Sequence, residues 1–246
     1  MRLSKRLELL LSFVEPGGRV ADVGTDHGFI PVELVRRAIA YKAIAMDVRP
    51  GPLLRAREHI RQAGLWERIE TRLGDGVERL SSGEADTVVI AGMGGQLVIH
   101  ILENGRRLWG DVRHWILSPQ SELDKVRRFL YDRGFELARE DMVEDEGKYY
   151  TVMDAVYRGD RSGEKALTEA EYLYGPKLIG ERNQVLMEFL EREERQLLGI
   201  MRGLEGKEGE KAQSRREELG RKVEGIRYLL NPGNIPGMEG KDKRQL

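Results

Sequence analysis

Between residues 4 and 157 the apolar positions keep two rhythms in turn. Short unbroken runs, such as Val88-Val89-Ile90-Ala91, suit strands buried on both faces. Between the runs, apolar residues recur every three or four positions, the spacing of a helix with one buried side. The pattern predicts a helix over 4–13, stopped by Pro16-Gly17-Gly18, and a strand over 19–23. Next come a helix over 29–40 with Pro31 in its first turn, a strand over 43–47, and a helix over 52–63 ended by Gly64. Strands follow over 69–73 and 87–91, then a helix over 96–104 with Gly105 just past its end. A strand over 115–117 and a helix over 122–132, closed by Gly134, complete the alternation. Two longer runs, 135–142 and 149–157, flank a polar turn and pair most simply as an antiparallel hairpin. Strands alternating with helices imply an α/β, Rossmann-like arrangement of seven strands, a parallel sheet covered on both faces.

Beyond a polar, glycine-containing linker at 159–168 the rhythm becomes purely helical. Leu186, Leu190, Leu197, Met201 and Leu204 form one apolar stripe, and Leu219, Val223, Ile226 and Leu230 another. The charged stretch 205–211, with Gly206 and Gly209, breaks them apart and predicts an antiparallel helical hairpin of coiled-coil type. The expected division is a cofactor-binding domain at 1–160, a helical coiled-coil domain at 164–231 and a flexible tail at 232–246.

Composition narrows the function. Lys plus Arg (41) nearly cancels Asp plus Glu (42), so a polyanion would have to be held by a local patch. The absence of cysteine removes thiolate nucleophiles, disulfides and thiolate metal sites. It excludes enzymes that methylate a pyrimidine carbon through a cysteine adduct. No metal site is expected. No apolar run approaches the ~20 residues of a membrane span, and the first residues lack a signal-peptide core. A cytoplasmic location is expected.

The candidate chemistry sits at the predicted strand tips. Asp22-Val23-Gly24-Thr25-Asp26-His27-Gly28 spans a strand end, a tight turn and a helix start, and Asp47 ends the next strand. Gly24 and Gly28 would let the backbone approach a ligand. Asp47 would accept hydrogen bonds from ribose hydroxyls. Asp75 of Gly74-Asp75-Gly76 would meet an adenine amine while Gly76 leaves room for the ring. Ala91 and Gly92, after the fourth strand, would border the transfer point. The turn reads D-x-G-x-D-x-G, not the G-x-G-x-x-G of dinucleotide sites. Asp22 and Asp26 would repel a pyrophosphate but suit a sulfonium with an ammonium group, so S-adenosylmethionine is favoured over NAD. Ala91-Gly92-Met93-Gly94 lacks the Asn/Asp-Pro-Pro-aromatic run usual for exocyclic-amine methylation, which favours a ring nitrogen or a small molecule as acceptor.

At these residues the chain resembles the bacterial tRNA (adenine-22-N(1))-methyltransferase family, a class I methyltransferase fold. The resemblance rests on Leu3-Ser4-Lys5-Arg6-Leu7, the Asp22 turn, Gly74-Asp75-Gly76, Ile90-Ala91-Gly92-Met93-Gly94-Gly95 and Ile116-Leu117-Ser118-Pro119-Gln120, together with the helical tail. It implies tRNA as partner, with neither DNA nor membrane, and leaves the oligomeric state open, a monomer included. It implies Asp26 and His27 as catalytic candidates. For the RNA it points to Lys5, Arg6, Phe29, Met93, Gly94, Pro119 and Gln120. Gln120 is a departure, because the family usually has Gln-Pro-Asn where this chain has Ser118-Pro119-Gln120. Arg36, Arg37, Arg55 and Arg57 could extend a phosphate track. Asp26 as a plain helix cap, a small-molecule methyltransferase, an inactive binding protein and a NAD-linked oxidoreductase stay open as alternatives.

Overall fold

The computed structural model describes residues 3–159, 165–206, 209–231 and 233, so the predicted tail apart from Gly233, and the middle of the linker, lie outside the described residues. By contact the chain divides into two compact units, Met1–Leu173 and Tyr174–Leu246.

The first unit begins with α1 (Lys5–Ser12), whose start is capped by the Ser4 hydroxyl accepting from the Leu7 amide at 3.3 Å. The sequence then alternates β1 (Arg19–Val23), α2 (Phe29–Arg36), β2 (Lys42–Asp47), α3 (Pro50–Gln62), β3 (Ile69–Leu73), β4 (Thr87–Ala91), α4 (Gly95–Asn104), β5 (His114–Ser118) and α5 (Leu123–Asp132). A hairpin of β6 (Phe135–Asp145) and β7 (Lys148–Tyr157) follows. All seven strands join one sheet in the order β3-β2-β1-β4-β5-β7-β6. The first five are parallel, and β7 runs antiparallel to β5 and to β6. The hairpin closes through Glu146 (φ 52°) and Gly147 (φ 79°), two successive left-handed residues that match the twist of the strands.

Side chains alternate across the sheet. Ala21, Val23, Val88, Ile90, Trp115 and Leu117 face one core with α4 and α5. Val20, Val89 and Ile116 face the other with α1, α2 and α3. Strand order reverses between β1 and β4, and a crevice opens there at the carboxyl ends of the strands.

α2 ends at Arg36, short of the predicted 40, because Ala38 turns left-handed (φ 57°) and the amides of Ile39 and Ala40 both bond the Leu34 carbonyl. Two short helices were not expected: α6 (Glu169–Tyr174) and α7 (Pro176–Gly180). Residues 165–173, predicted to lie in or beyond the linker, belong to the first unit. Buried Arg127 on α5 holds them, donating from Nη1 to the Tyr172 and Leu173 carbonyls at 2.8 and 2.9 Å.

The second unit holds α8 (Gln184–Gly203) and α9 (Glu210–Leu230). Arg182 bonds the Leu229 and Leu230 carbonyls at one end, and Arg216 the Leu204 carbonyl at the other, so the helices run antiparallel. Leu186, Leu190, Leu219, Val223 and Ile226 are buried between them, whereas Leu197, Met201 and Leu204 are only half-buried.

Candidate active site

A cleft of about 370 Å3 lies at the crevice. β1 and the turn after it deliver Val23, Gly24 and Asp26; β2 and the turn after it deliver Asp47, Val48 and Arg49; the turn after β3 delivers Gly74, Asp75 and Gly76. Ala91, Gly92 and Met93 follow β4, and Leu97 and Ile101 come from α4. The topology thus brings together Gly24, Asp26, Asp47, Asp75, Gly76, Ala91, Gly92 and Met93 of the sequence candidates.

Gly24 shows why its position takes glycine. Its φ is +78°, and a Cβ there would run into the Met93 methyl. Asp47 is buried, and its Oδ1 accepts the Arg49 amide at 2.8 Å. Asp75 is exposed at the rim, beside buried Gly76.

The loop after β1 separates the remaining candidates. Asp26 is not a helix cap: Gly28 occupies the N-cap of α2, and Asp26 Oδ1 accepts from Arg55 Nη2 at 3.0 Å. Its side chain is 66% exposed at the cleft edge. His27 stands off the cleft lining, with Nε2 3.7 Å from Asp26 Oδ1 and its ring stacked on Phe29 at 5.6 Å. Gly28 is also off the lining and packs on Ala56 of α3.

Asp22 lies behind the cleft. Strand alternation puts it on the face of Val20, beneath the helices, where it is 2% exposed. Burial pushes its carboxyl up to about 7, and the Asp47 charge adds to the shift.

The loops after β4 and β5 are tied together. The Gly92 amide donates to the Ser118 carbonyl at 3.2 Å, and the Gln120 amide to the Met93 carbonyl at 2.8 Å. Pro119 is buried at this junction, Gln120 is exposed, and Gly94 caps α4. A Cβ on Gly92 would sit 3.1 Å from Arg6 Nη2, so Arg6 reaches the mouth of the cleft. Its guanidinium lies 4.8 Å from the Tyr150 ring centroid, and its amide donates to Asp145 Oδ2 at 3.2 Å. Lys5 points elsewhere, with Nζ 3.4 Å from the Glu144 carbonyl. Arg36 pairs with Glu33, Arg37 with Glu8 and Glu33, and Arg57 donates to the Thr71 hydroxyl.

Sequence reasoning missed Val48, Arg49, Leu97 and Ile101 in the lining. Leu97 and Ile101 were findable, because they stand four apart on α4 and share a helix face. The lining carries three carboxylates, Asp26, Asp47 and Asp75, against one arginine, Arg49. Apolar walls with that charge balance fit a nucleoside bearing positive charge and disfavour a pyrophosphate.

Fold and cleft define a methyltransferase of the seven-stranded α/β class, and the methyltransferase domain family matches residues 3–153. The chain is 33% identical, over 236 residues, to the tRNA (adenine(22)-N(1))-methyltransferase of Bacillus subtilis (strain 168), covering 95% of this chain and 99% of that relative. It belongs to the tRNA (adenine(22)-N(1))-methyltransferase family. The crystal structure of the B. subtilis m1A22 tRNA methyltransferase TrmK is similar, with 33% identity, a TM-score of 0.79, and 94% and 99% of the two chains covered. So is Streptococcus pneumoniae Sp1610 in complex with S-adenosyl-L-methionine, at 32% identity and a TM-score of 0.80, covering 94% of this chain and 100% of that one.

Proposed function

We propose that the protein transfers a methyl group from S-adenosylmethionine to ring nitrogen 1 of adenine 22 in bacterial tRNA. The observation that carries it is the acidic nucleoside cleft at the strand tips, in a chain that matches relatives of this activity along nearly its full length. Asp47 takes the ribose hydroxyls, Asp75 the adenine amine, and Gly24 and Gly76 the close approaches. Buried Asp22 supports the turn from behind, and a cation in the cleft favours its ionised form.

S-adenosylmethionine supplies, when bound, a methyl group on a positively charged sulfur. Ring nitrogen 1 brings its own lone pair once the base is unpaired, so no strong base is needed. The nitrogen–carbon bond forms as the sulfur–carbon bond breaks, and the positive charge passes to the adenine. The protein's share is in-line placement and stabilisation of that charge. Asp26, at the cleft edge, holds the exocyclic amine or takes its proton, and His27 beside it orients the carboxylate or touches RNA. The adenine is swung out of its stack, and Phe29 and Met93 offer it apolar platforms. Arg6, Gly94 and Gln120 line the side where RNA enters, with Pro119 buried at the same junction and Lys5 farther out on α1.

Purified protein with S-adenosylmethionine and unmodified bacterial tRNA should place one methyl group at adenine 22, read as a reverse-transcription stop. A tRNA with guanine there should stay unmodified, and methylation at any other nucleotide refutes the assignment. Asp26→Ala should lower turnover by at least ~10²-fold with cofactor affinity nearly kept; wild-type turnover removes Asp26 from the chemistry.

A further inference from the structure

Helix α3 grips the loop that carries Asp26. Arg55, Ala56 and His59 stand one and four positions apart, on one side of the helix. Arg55 Nη2 donates to Asp26 Oδ1 at 3.0 Å. Ala56 packs under Gly28, where an added Cβ would come within 3.2 Å of the alanine methyl. His59 Nδ1 lies 2.9 Å from the His27 carbonyl oxygen. A carbonyl only accepts, so the proton in this contact is on Nδ1. Phe29 closes the group, stacked on His27 at 5.6 Å and edge-on to His59 at 5.2 Å.

The gripped loop needs holding. His27 (φ 57°) and Gly28 (φ 68°) are successive left-handed residues, and His27 carries a Cβ that disfavours that conformation. Its neighbours are fixed at one end by the Thr25 amide on the Met46 carbonyl at 2.9 Å and at the other by α2. Among the described residues, only His59 bonds the His27 carbonyl. α3 itself starts at Pro50, immediately beyond Asp47-Val48-Arg49 of the cleft. One helix therefore follows directly on Asp47 and also contacts the loop that carries Asp26.

We propose that His59 is a positioning residue for the methyl transfer: by holding the His27 carbonyl it fixes the turn that aims Asp26 at the cleft. Its catalytic consequence rests on the function proposed above, whereas the holding of the turn does not. The test compares His59→Leu, which removes the donor, with His59→Asn, whose amide nitrogen is attached to Cγ as Nδ1 is.

In His59→Leu, amide exchange over 25–29 should speed up, kcat on tRNA should fall at least ~10-fold from the misplaced carboxylate, and cofactor affinity should stay as in wild type. His59→Asn should restore slow exchange and most of kcat. In an Asp26→Ala background, His59→Leu should lower kcat no further, because its effect acts through Asp26. Unchanged exchange in His59→Leu, a kcat loss that Asn does not rescue, or additive losses with Asp26→Ala each overturn the proposal. A wild-type protein that methylates no tRNA defeats the function instead, and the exchange comparison still decides whether His59 holds the turn.

Discussion

Replacing Arg127 by methionine should cost the first unit about 5 kcal/mol, a large share of what a domain has. Arg127 and Glu140 have side chains 1% and 0% exposed, joined Nε to Oε1 at 2.8 Å. Methionine keeps the length of the stem but removes the cation and its hydrogen bonds to Glu140 and to the Tyr172 and Leu173 carbonyls. The Glu140 carboxylate then sits in the interior without its arginine, and breaking such a pair from one side costs ~3–5 kcal/mol. The Tyr172 and Leu173 carbonyls also lose donors, worth about 1 kcal/mol each when no water replaces them. Leu173 is half exposed, so water takes up part of that second loss. Total stabilities run from ~5 to 15 kcal/mol, so the variant should be marginal. Urea unfolding followed by tryptophan fluorescence isolates the effect, because the three tryptophans, Trp66, Trp109 and Trp115, all belong to the first unit. Arg127→Met with Glu140→Leu should recover most of the loss, since apolar packing replaces a buried pair at little cost. A loss below ~1 kcal/mol in Arg127→Met, or no recovery in the double variant, would refute the reasoning.

Two further outcomes follow from the cleft. Gly24→Ala combines a left-handed backbone with a Cβ driven into Met93, and should weaken cofactor binding at least ~10-fold by calorimetry; unchanged binding would mean that the turn does not meet the ligand. Asp22→Asn should flatten stability against pH in the ligand-free protein. The folded carboxyl is raised from 3.8 to about 7, so its contribution is full below about pH 4 and is lost as pH rises through about 7. Denaturant midpoints that fall equally over that window in both proteins would count against it.

The sheet was legible because each parallel strand is a short apolar run whose period and flanking glycines leave little choice. The helix ends were less so. Ala38 takes a left-handed conformation with no glycine to announce it. α6 did carry a signal that went unread: Thr168 and Glu171 form a capping box, the Thr168 hydroxyl accepting from the Glu171 amide and the Glu171 carboxylate from the Thr168 amide. Nothing local to Arg127 marks it as buried; its partners lie 13, 45 and 46 residues away and meet it only in the folded chain. The cleft glycines and acids could be read because strand tips fall at fixed intervals. The phosphate track could not, because pairings such as Arg37 with Glu8, 29 residues apart, neutralise charges that look free in the sequence.

That neutralisation bears on how RNA is met. On the proposed function a polyanion must approach a cleft whose own charge is mostly negative, on a protein with no net positive charge to attract it. Arg36 and Arg37 are already paired, and Arg55 is engaged by Asp26. Attraction by the net charge of the chain is therefore weak, and on the proposed function the RNA is met by shape, close contact and local basic groups such as Arg6, as the wide minor groove and looped bases of RNA allow. The same geometry ties recognition to chemistry. Asp26 is two-thirds exposed, and a carboxylate facing water stabilises a nearby positive charge only weakly. On the role proposed for Asp26, seating the flipped adenine over it removes that water. Its charge then acts through a lower dielectric, at the moment the adenine becomes cationic. On the same proposal, a base that does not seat leaves Asp26 solvated, so selectivity and rate would draw on one contact.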